Sequence, residues 1–189
     1  MQLIPIFKIG IWNAWIFVAC FLLLSYSIMS INKKAYKKLG NPPDMKLNKR
    51  EKAIGYIGTI ITYIAFLYPI FLPFKLGTAW FYIGLFIFLL AIVILITASI
   101  NFITTPIDRP VTKGIYGYSR HPLYLSILLA LIGIGIATAS WIILLASIIF
   151  LVLVNIAASS EERYCKERYG NAYKEYLSKT PRWIGIPKS

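Results

Sequence analysis

The residues best suited to chemistry stand in one short stretch, Gly114 to Tyr124, which contains the only histidine of the chain, His121. His121 lies between Arg120 and Pro122, where a polar loop turns back into hydrophobic sequence. Pro122 suits the first turn of a helix, because its fixed φ and missing N–H cost nothing there. The helix N-terminus then offers free backbone N–H groups and a positive dipole end beside a guanidinium. This pattern favours an anion site at a membrane surface, and an Arg-His pair that only anchors the helix end fits it equally well.

A second polar group stands forty residues further on, at the end of a hydrophobic run. Asn155, Ser159 and Glu162 are spaced i, i+4, i+7, so they share one face of a helix. Asn155 and Ser159 could instead serve helix–helix contact. The adjacent carboxylates of Glu161 and Glu162 are costly at a membrane boundary unless a cation uses them. Lys166, four residues on, is one candidate partner for Glu162.

Aromatic residues follow in the polar tail. Tyr169, Tyr173 and Tyr176 form a stripe with spacing of helical type. Gly170-Asn171 predicts that one helix stops and another starts. The stripe could seat an amphipathic helix on lipid headgroups, or it could stack against a flat ligand. Arg182-Trp183 suggests another interfacial anchor.

The elements that must position these residues are membrane helices. The chain of 189 residues is 58% hydrophobic, with a mean hydropathy of +0.69, which indicates a membrane protein. We predict one all-α integral-membrane domain over residues 1–189. Its five transmembrane helices lie at about 9–31, 54–73, 76–100, 122–137 and 139–160. The uncharged turn 138–140 makes the last two a tight hairpin, followed by an amphipathic cytoplasmic segment.

Charge distribution predicts the orientation. All of the 20 basic residues except Lys8 and Lys75 fall in three segments that share one face of the membrane, and so do the acidic residues. The positive-inside rule then places the N-terminus outside, with the C-terminus and the reactive groups in the cytoplasm. The formal charge of +13 is spread over helix flanks, which favours anionic lipids and not nucleic acid. One histidine and two distant cysteines argue against a metal site.

The predicted hairpin brings the start of the fourth span next to the end of the fifth. Arg120 and His121 should therefore neighbour Glu161 and Glu162. A ligand that matches this set carries a carboxylate, an ammonium, hydroxyl groups and a flat base. S-adenosylmethionine fits, and other zwitterions or nucleotides are not excluded.

The sequence resembles the integral-membrane methyltransferases that include isoprenylcysteine carboxyl methyltransferases and phospholipid N-methyltransferases. The motifs that carry the resemblance are Val111–Tyr116, Arg120–Tyr124, Glu161-Glu162, Tyr169–Tyr176 and Pro181. They extend over about residues 104–184, the half that the resemblance identifies as cofactor-binding. The resemblance implies S-adenosylmethionine at the cytoplasmic face, under the C-terminal segment, and a lipophilic acceptor or lipidated substrate entering from the bilayer.

Residue roles follow from the same resemblance. The implied cofactor-binding residues are Gly114, Tyr116, Gly117, Arg120, His121, Pro122, Tyr124, Glu161 and Glu162. The implied catalytic residues are Arg120, His121 and Glu162.

Two departures from the family pattern concern the acceptor. Ser126 replaces a common glycine, and residues 157–160 lack the arginine that could meet a prenylcysteine carboxylate. The acceptor could be a phospholipid amine or a prenylcysteine-like carboxylate. Its own anionic group could pair with Arg109, Arg120 or Arg163, and the base for an amine could be His121 or a glutamate. A sterol-type reductase that uses a nicotinamide, and a non-catalytic lipid-binding membrane protein, are the alternatives in other classes.

Overall fold

A computed structural model describes residues 7–8, 10–31 and 45–187 of the chain. These residues form six α-helices, two short 3-10 helices and no strand beyond an isolated bridge between Asn13 and Pro73. The α-helices are α1 Trp15–Ile31, α2 Lys49–Leu67, α3 Ala79–Ile103, α4 Pro122–Ala137, α5 Trp141–Tyr169 and α6 Asn171–Lys179. The 3-10 helices are Tyr68–Phe71 and Gly114–Gly117. The prediction of an all-α chain is confirmed for the described residues.

In the part of the chain that the structure describes, three helical stretches are long and apolar enough to cross a membrane: Lys49–Phe71, Ala79–Ile103 and Trp141–Tyr169. Two further apolar helices, α1 and α4, are shorter. Each of the five predicted spans corresponds to one of these five helical stretches, and α4 has the predicted bounds.

Two helices differ clearly from the predicted spans: α1 begins at Trp15 and not near residue 9, and α5 continues to Tyr169, nine residues past the predicted end at 160. Asn13 lies in the turn before α1 and is almost fully buried. Its side-chain amide donates hydrogen bonds to the carbonyls of Lys8 and Ile70, the latter at 3.3 Å. These bonds stop the helix from extending further back and join the start of α1 to the end of the second helical stretch.

The start of α2 is fixed by a capping box that the sequence interpretation missed. The Asn48 side chain accepts a hydrogen bond from the Glu51 backbone N–H at 2.8 Å, and the Glu51 carboxylate accepts one from the Asn48 N–H at 2.9 Å. Arg163 on α5 also donates to Glu51, at 2.8 Å, and the Ser160 hydroxyl donates to it at 2.9 Å. Glu51 therefore begins α2 and fastens it to the polar end of α5.

Aromatic packing holds α1 against the helices behind it. The Phe17 ring stacks on Phe88 of α3, with 4.1 Å between ring centroids, and contacts Phe74 at 4.6 Å. Phe21 stacks on Phe66 of α2 at 5.6 Å. These buried rings form the centre of the apolar core.

Helices α3 and α4 pack backbone against backbone at two glycines, Gly84 and Gly133. A Cβ atom added at Gly84 would lie 2.7 Å from the Ala137 Cα and would also collide with the Gly133 carbonyl. One added at Gly133 would lie 2.8 Å from the backbone N of Phe88. Small residues at such a crossing allow backbones to pack directly.

We expect Gly84→Ala to destabilise the protein by about 1–3 kcal/mol, because the new methyl group forces the α3 and α4 backbones apart. Gly55→Ala in α2 is the matched control, since its Cβ would have no neighbour within 4 Å. Thermal unfolding in detergent measures the difference. Equal melting temperatures for the two variants would contradict this packing.

The polar end of the bundle is built from the ends of α4, α5 and α6. Helix α5 stops at Gly170, whose φ of +56° suits glycine, and α6 begins at Asn171, as predicted. The part of the predicted basic segment at Lys33, Lys34, Lys37 and Lys38 lies outside the described residues, as does Lys188.

Candidate active site

Arg120 and Glu162 meet at the polar end of the bundle. This contact agrees with the prediction that the start of the fourth span lies next to the end of the fifth. Nε and Nη2 of Arg120 each lie 3.0 Å from Glu162 Oε1. Nη1 of the same guanidinium donates to the carbonyls of Leu177 and Thr180, at 3.2 Å and 2.6 Å. Arg120 therefore connects the loop before α4 to α5 and to the segment after α6.

Arg182 is a second partner of Glu162 and was missed as a site residue. Its Nε and Nη2 bind the two oxygens of the Glu162 carboxylate at 3.0 Å and 2.7 Å. Its Nη1 reaches Asn155 Oδ1 at 3.1 Å and Ser159 Oγ at 3.2 Å. The interpretation of Arg182 as an interfacial anchor is wrong, and so is Lys166 as the partner of Glu162: the polar face of α5 receives a guanidinium from the C-terminal segment.

His121 lies between the two glutamates and is buried. Its Nε2 is 3.2 Å from Glu162 Oε1, and its Nδ1 is 3.5 Å from Glu161 Oε2. Burial alone would lower the pKa of His121, but the hydrogen bonds to the two carboxylates outweigh it and raise the pKa above its usual 6.5. The protonated ring, with both nitrogens as donors, suits this position.

The raised pKa predicts how stability depends on pH. A pKa that is higher in the folded state stabilises the fold below the unfolded value of about 6.5, and this contribution disappears as pH rises through the folded pKa. We therefore expect the melting temperature to fall above about pH 6.5 in the wild type and to fall less in His121→Gln. Parallel pH profiles would contradict the assignment.

Glu161 has surroundings different from those of Glu162. The Tyr124 hydroxyl donates a hydrogen bond to its Oε1, and its side chain is 35% exposed, against 6% for Glu162. The two carboxylates are adjacent in sequence but point in different directions, as successive residues of a helix must.

The tyrosine stripe packs inward. Tyr173 and Tyr176 are buried. The Tyr176 hydroxyl donates to the Tyr116 carbonyl at 2.6 Å, and the Tyr169 hydroxyl donates to the Ile107 carbonyl at 3.3 Å. The stripe thus attaches the end of α5 and helix α6 to the loop before α4, which is evidence against the interpretation that it seats the helix on headgroups.

A cavity of about 1280 Å³ opens beside these residues. Its polar end is lined by Tyr116, Arg120, His121, Tyr124, Glu161, Tyr169, Tyr173 and Tyr176. Its other end lies between the apolar faces of the helices and is lined by residues such as Phe21, Leu95, Phe150 and Leu153. Among the described residues, one continuous space therefore connects charged and aromatic groups to the hydrophobic interior.

Four of the predicted cofactor-binding residues do not line this cavity: Gly114, Gly117, Pro122 and Glu162. Gly114 has a φ of +60°, and a side chain there would collide with Asn101, so it allows the loop to pass close to α3. Pro122 is buried at the first position of α4. In the structure Gly114 shapes the loop, and Pro122 shapes the start of α4.

Two arginines that could have paired with an acceptor already have carboxylate partners. Arg120 binds Glu162, and Arg163 binds Glu51. Among the described residues, no group of three or more His, Cys, Asp and Glu side chains could hold a metal ion.

Several groups at the polar end of the cavity suit parts of the S-adenosylmethionine molecule that the resemblance implies. Glu161 can bind a cationic group, Tyr116 and Tyr173 offer aromatic surface to a flat base, and the volume accommodates a molecule of that size together with part of a lipid chain. The residues present therefore fit the cofactor that the motifs imply.

Comparison with known proteins gives one family. A family model described as phospholipid methyltransferase matches residues 72–172, just over half of the chain. The matched range includes α3, α4 and α5 and every predicted site residue. No curated protein matches the chain.

Proposed function

The chain belongs to the phospholipid methyltransferase family, and we propose that it transfers a methyl group from S-adenosylmethionine to the amine headgroup of a membrane lipid. Family membership and three helices long enough to span a membrane identify it as an integral membrane protein. The observation that carries the proposal is the cavity, which joins the Glu161 carboxylate and the tyrosines to the apolar helix faces.

The proposed division of this cavity follows from its polarity. S-adenosylmethionine would occupy the polar end, against Glu161, Tyr116 and Tyr173, and would supply an electrophilic methyl group. The acyl chains of the acceptor would lie between α1, α2 and α5. There the apolar side chains of these helices would replace the contacts that the acyl chains make with other lipids in the bilayer. The protein's contribution is to align two molecules and exclude water.

The charge of the polar end favours an amine over a carboxylate as acceptor. A headgroup carboxylate would meet Glu161 as a like charge, whereas an ammonium would be attracted to it. Before an amine attacks a methyl group, it must lose a proton. His121 is a poor acceptor when its ring donates to both glutamates, so Glu161 is the side chain we assign to receive that proton.

The proposed topology has five spans, an α4–α5 hairpin, the N-terminus outside and the site in the cytoplasm. Support comes from Lys75, whose backbone N–H donates to the Ala137 carbonyl at the end of α4 opposite Arg120. The exposed basic residues at the polar end would then face cytoplasmic anionic lipids. We also propose that the chain forms one membrane-embedded domain.

The test is transfer of radiolabelled methyl from S-adenosylmethionine by the purified protein in lipid nanodiscs. We expect base-stable label in phosphatidylethanolamine and loss of that label in Glu161→Gln. Glu175→Gln, at an exposed pair with Lys179 on α6, is the matched control. Base-labile label in a prenylcysteine analogue would overturn the amine acceptor, and no label in any lipid from a folded sample would overturn the proposed function.

A further inference from the structure

Helix α2 carries a line of polar side chains along the wall of the cavity. The residues of this line are Lys52, Tyr56, Thr59 and Tyr63. Their spacing of i, i+4, i+7 and i+11 places them on one face of the helix. They all precede residues 72–172, the range that matches the family model, so the family match assigns them no role.

Lys52 brings a positive charge to this wall, and its neighbour Glu51 does not pair with it. Glu51 Oε1 accepts hydrogen bonds from Ser160 at 2.9 Å and from Arg163 at 2.8 Å. Its Oε2 accepts from the Asn48 backbone N–H at 2.9 Å and from Arg163 at 3.0 Å. Within residues 45–187 and the described part of the N-terminus, Lys52 forms no ion pair. Its ammonium group is therefore available to an anionic ligand in the cavity.

The contacts of Glu51 also fix where Lys52 lies along the cavity. They join the first turn of α2 to residues 160–163 of α5, the turn that carries Glu161. Lys52 therefore lies at the polar end of the cavity. Tyr56 follows about 6 Å deeper and Tyr63 about 16 Å deeper, since a helix rises about 1.5 Å per residue.

The order of these groups along α2 matches the order of groups in a glycerophospholipid. A phosphodiester suits the Lys52 ammonium, which can form charge-assisted hydrogen bonds to its oxygens. The ester carbonyls lie one glycerol unit deeper, where the Tyr56 hydroxyl can donate to them. The acyl chains then reach the apolar residues of the same cavity, such as Phe21 and Leu95. A short ethylene link joins the phosphate to the amine, so this placement keeps the amine at the polar end.

We propose that Lys52 and Tyr56 form a glycerophosphate site for the acceptor: Lys52 binds the phosphodiester and the Tyr56 hydroxyl binds an ester carbonyl. The inference rests on the proposed function. It makes the protein selective for glycerophospholipids over amine lipids that lack a phosphate. The cofactor carboxylate is the other anion that Lys52 could meet, and the experiment separates the two.

The experiment measures equilibrium binding to the purified protein in nonionic detergent, a readout that does not need methyl transfer. Fluorescence anisotropy follows three lipids with the same labelled chain: phosphatidylethanolamine, its ether-linked form without carbonyls, and an amine lipid without phosphate. Calorimetry follows S-adenosylmethionine. The variants are Lys52→Gln, Lys52→Arg and Tyr56→Phe. Arg50→Gln is the matched control, because Arg50 is exposed in the same turn of α2 and does not line the cavity.

For Lys52→Gln we expect affinity for phosphatidylethanolamine to fall about threefold to tenfold, a modest loss because the side chain is exposed to solvent. Lys52→Arg should keep most of the affinity. Binding of the phosphate-free amine lipid and of S-adenosylmethionine should stay unchanged in Lys52→Gln. Tyr56→Phe should weaken binding of the ester lipid about twofold to fivefold and leave the ether lipid unaffected.

Three results would overturn the inference. The first is equal affinity of Lys52→Gln and Arg50→Gln for phosphatidylethanolamine. The second is a loss in Lys52→Gln that is as large for the phosphate-free lipid, or that affects S-adenosylmethionine alone and so assigns Lys52 to the cofactor carboxylate. The third is a loss in Tyr56→Phe that is equal for the ester and ether lipids. The proposed function fails on a different result, a wild-type protein that binds phosphatidylethanolamine and transfers no methyl group to any lipid.

Discussion

Replacement of Arg120 with alanine is expected to cost about 3 kcal/mol of stability and to abolish binding of S-adenosylmethionine. The substitution removes two contacts to Glu162 and two to the carbonyls of Leu177 and Thr180. Loss of one partner from a buried ion pair is strongly destabilising, because the other charge and the carbonyls lose their compensation. The C-terminal segment should then separate from the wall of the cavity.

Arg120→Lys is the control for charge. Lysine keeps the positive charge but cannot form the forked contacts of a guanidinium. We therefore expect Arg120→Lys to be less stable than the wild type and more stable than Arg120→Ala. Thermal unfolding and calorimetric binding in the same detergent measure both effects. An Arg120→Ala protein with wild-type melting and binding would show that these contacts do not hold the segment.

The second large effect is expected from filling the cavity at Ala157, one helical turn deeper than Glu161 on α5. Ala157→Trp should reduce methyl transfer to lipid about tenfold to a hundredfold. The indole ring would occupy the space proposed for the acyl chain of the acceptor, and such overpacking costs ~1–3 kcal/mol. Affinity for S-adenosylmethionine should change little, because the polar end of the cavity is unaltered.

Val152→Trp is the matched control for this variant. Val152 lies on the same helix, is 58% exposed and does not line the cavity. We expect its transfer rate to equal that of the wild type. Equal rates for the Ala157 and Val152 variants would place the acceptor elsewhere.

The sequence was sufficient to predict the helices and the meeting of Arg120 with Glu162. Hydrophobic runs locate membrane helices well because a spanning segment must be long and apolar. The meeting of Arg120 with Glu162 followed from the uncharged turn at residues 138–140, which leaves room only for neighbouring antiparallel helices.

Arg182 was missed because no periodicity relates a residue of the C-terminal segment to a helix face that lies 20 to 27 residues earlier in the chain. A signal was present nonetheless. The polar face formed by Asn155, Ser159 and Glu162 needs a polar partner in an apolar setting, and a basic residue beside Pro181 in the C-terminal segment could supply it.

The different surroundings of Glu161 and Glu162 were also open to prediction. Adjacent residues of a helix differ by about 100° in direction, so both carboxylates could not face one ligand. The inward packing of Tyr173 and Tyr176 could not be decided in advance, because an amphipathic helix on a membrane and one on a protein surface have the same pattern.

The most direct test of the account is calorimetric titration of the purified wild-type protein with S-adenosylmethionine. The account predicts a saturable isotherm with one site per chain, which is lost in Arg120→Ala and retained in Glu175→Gln. A folded wild-type sample that gives no heat of binding, with or without added phosphatidylethanolamine, would contradict the central claim.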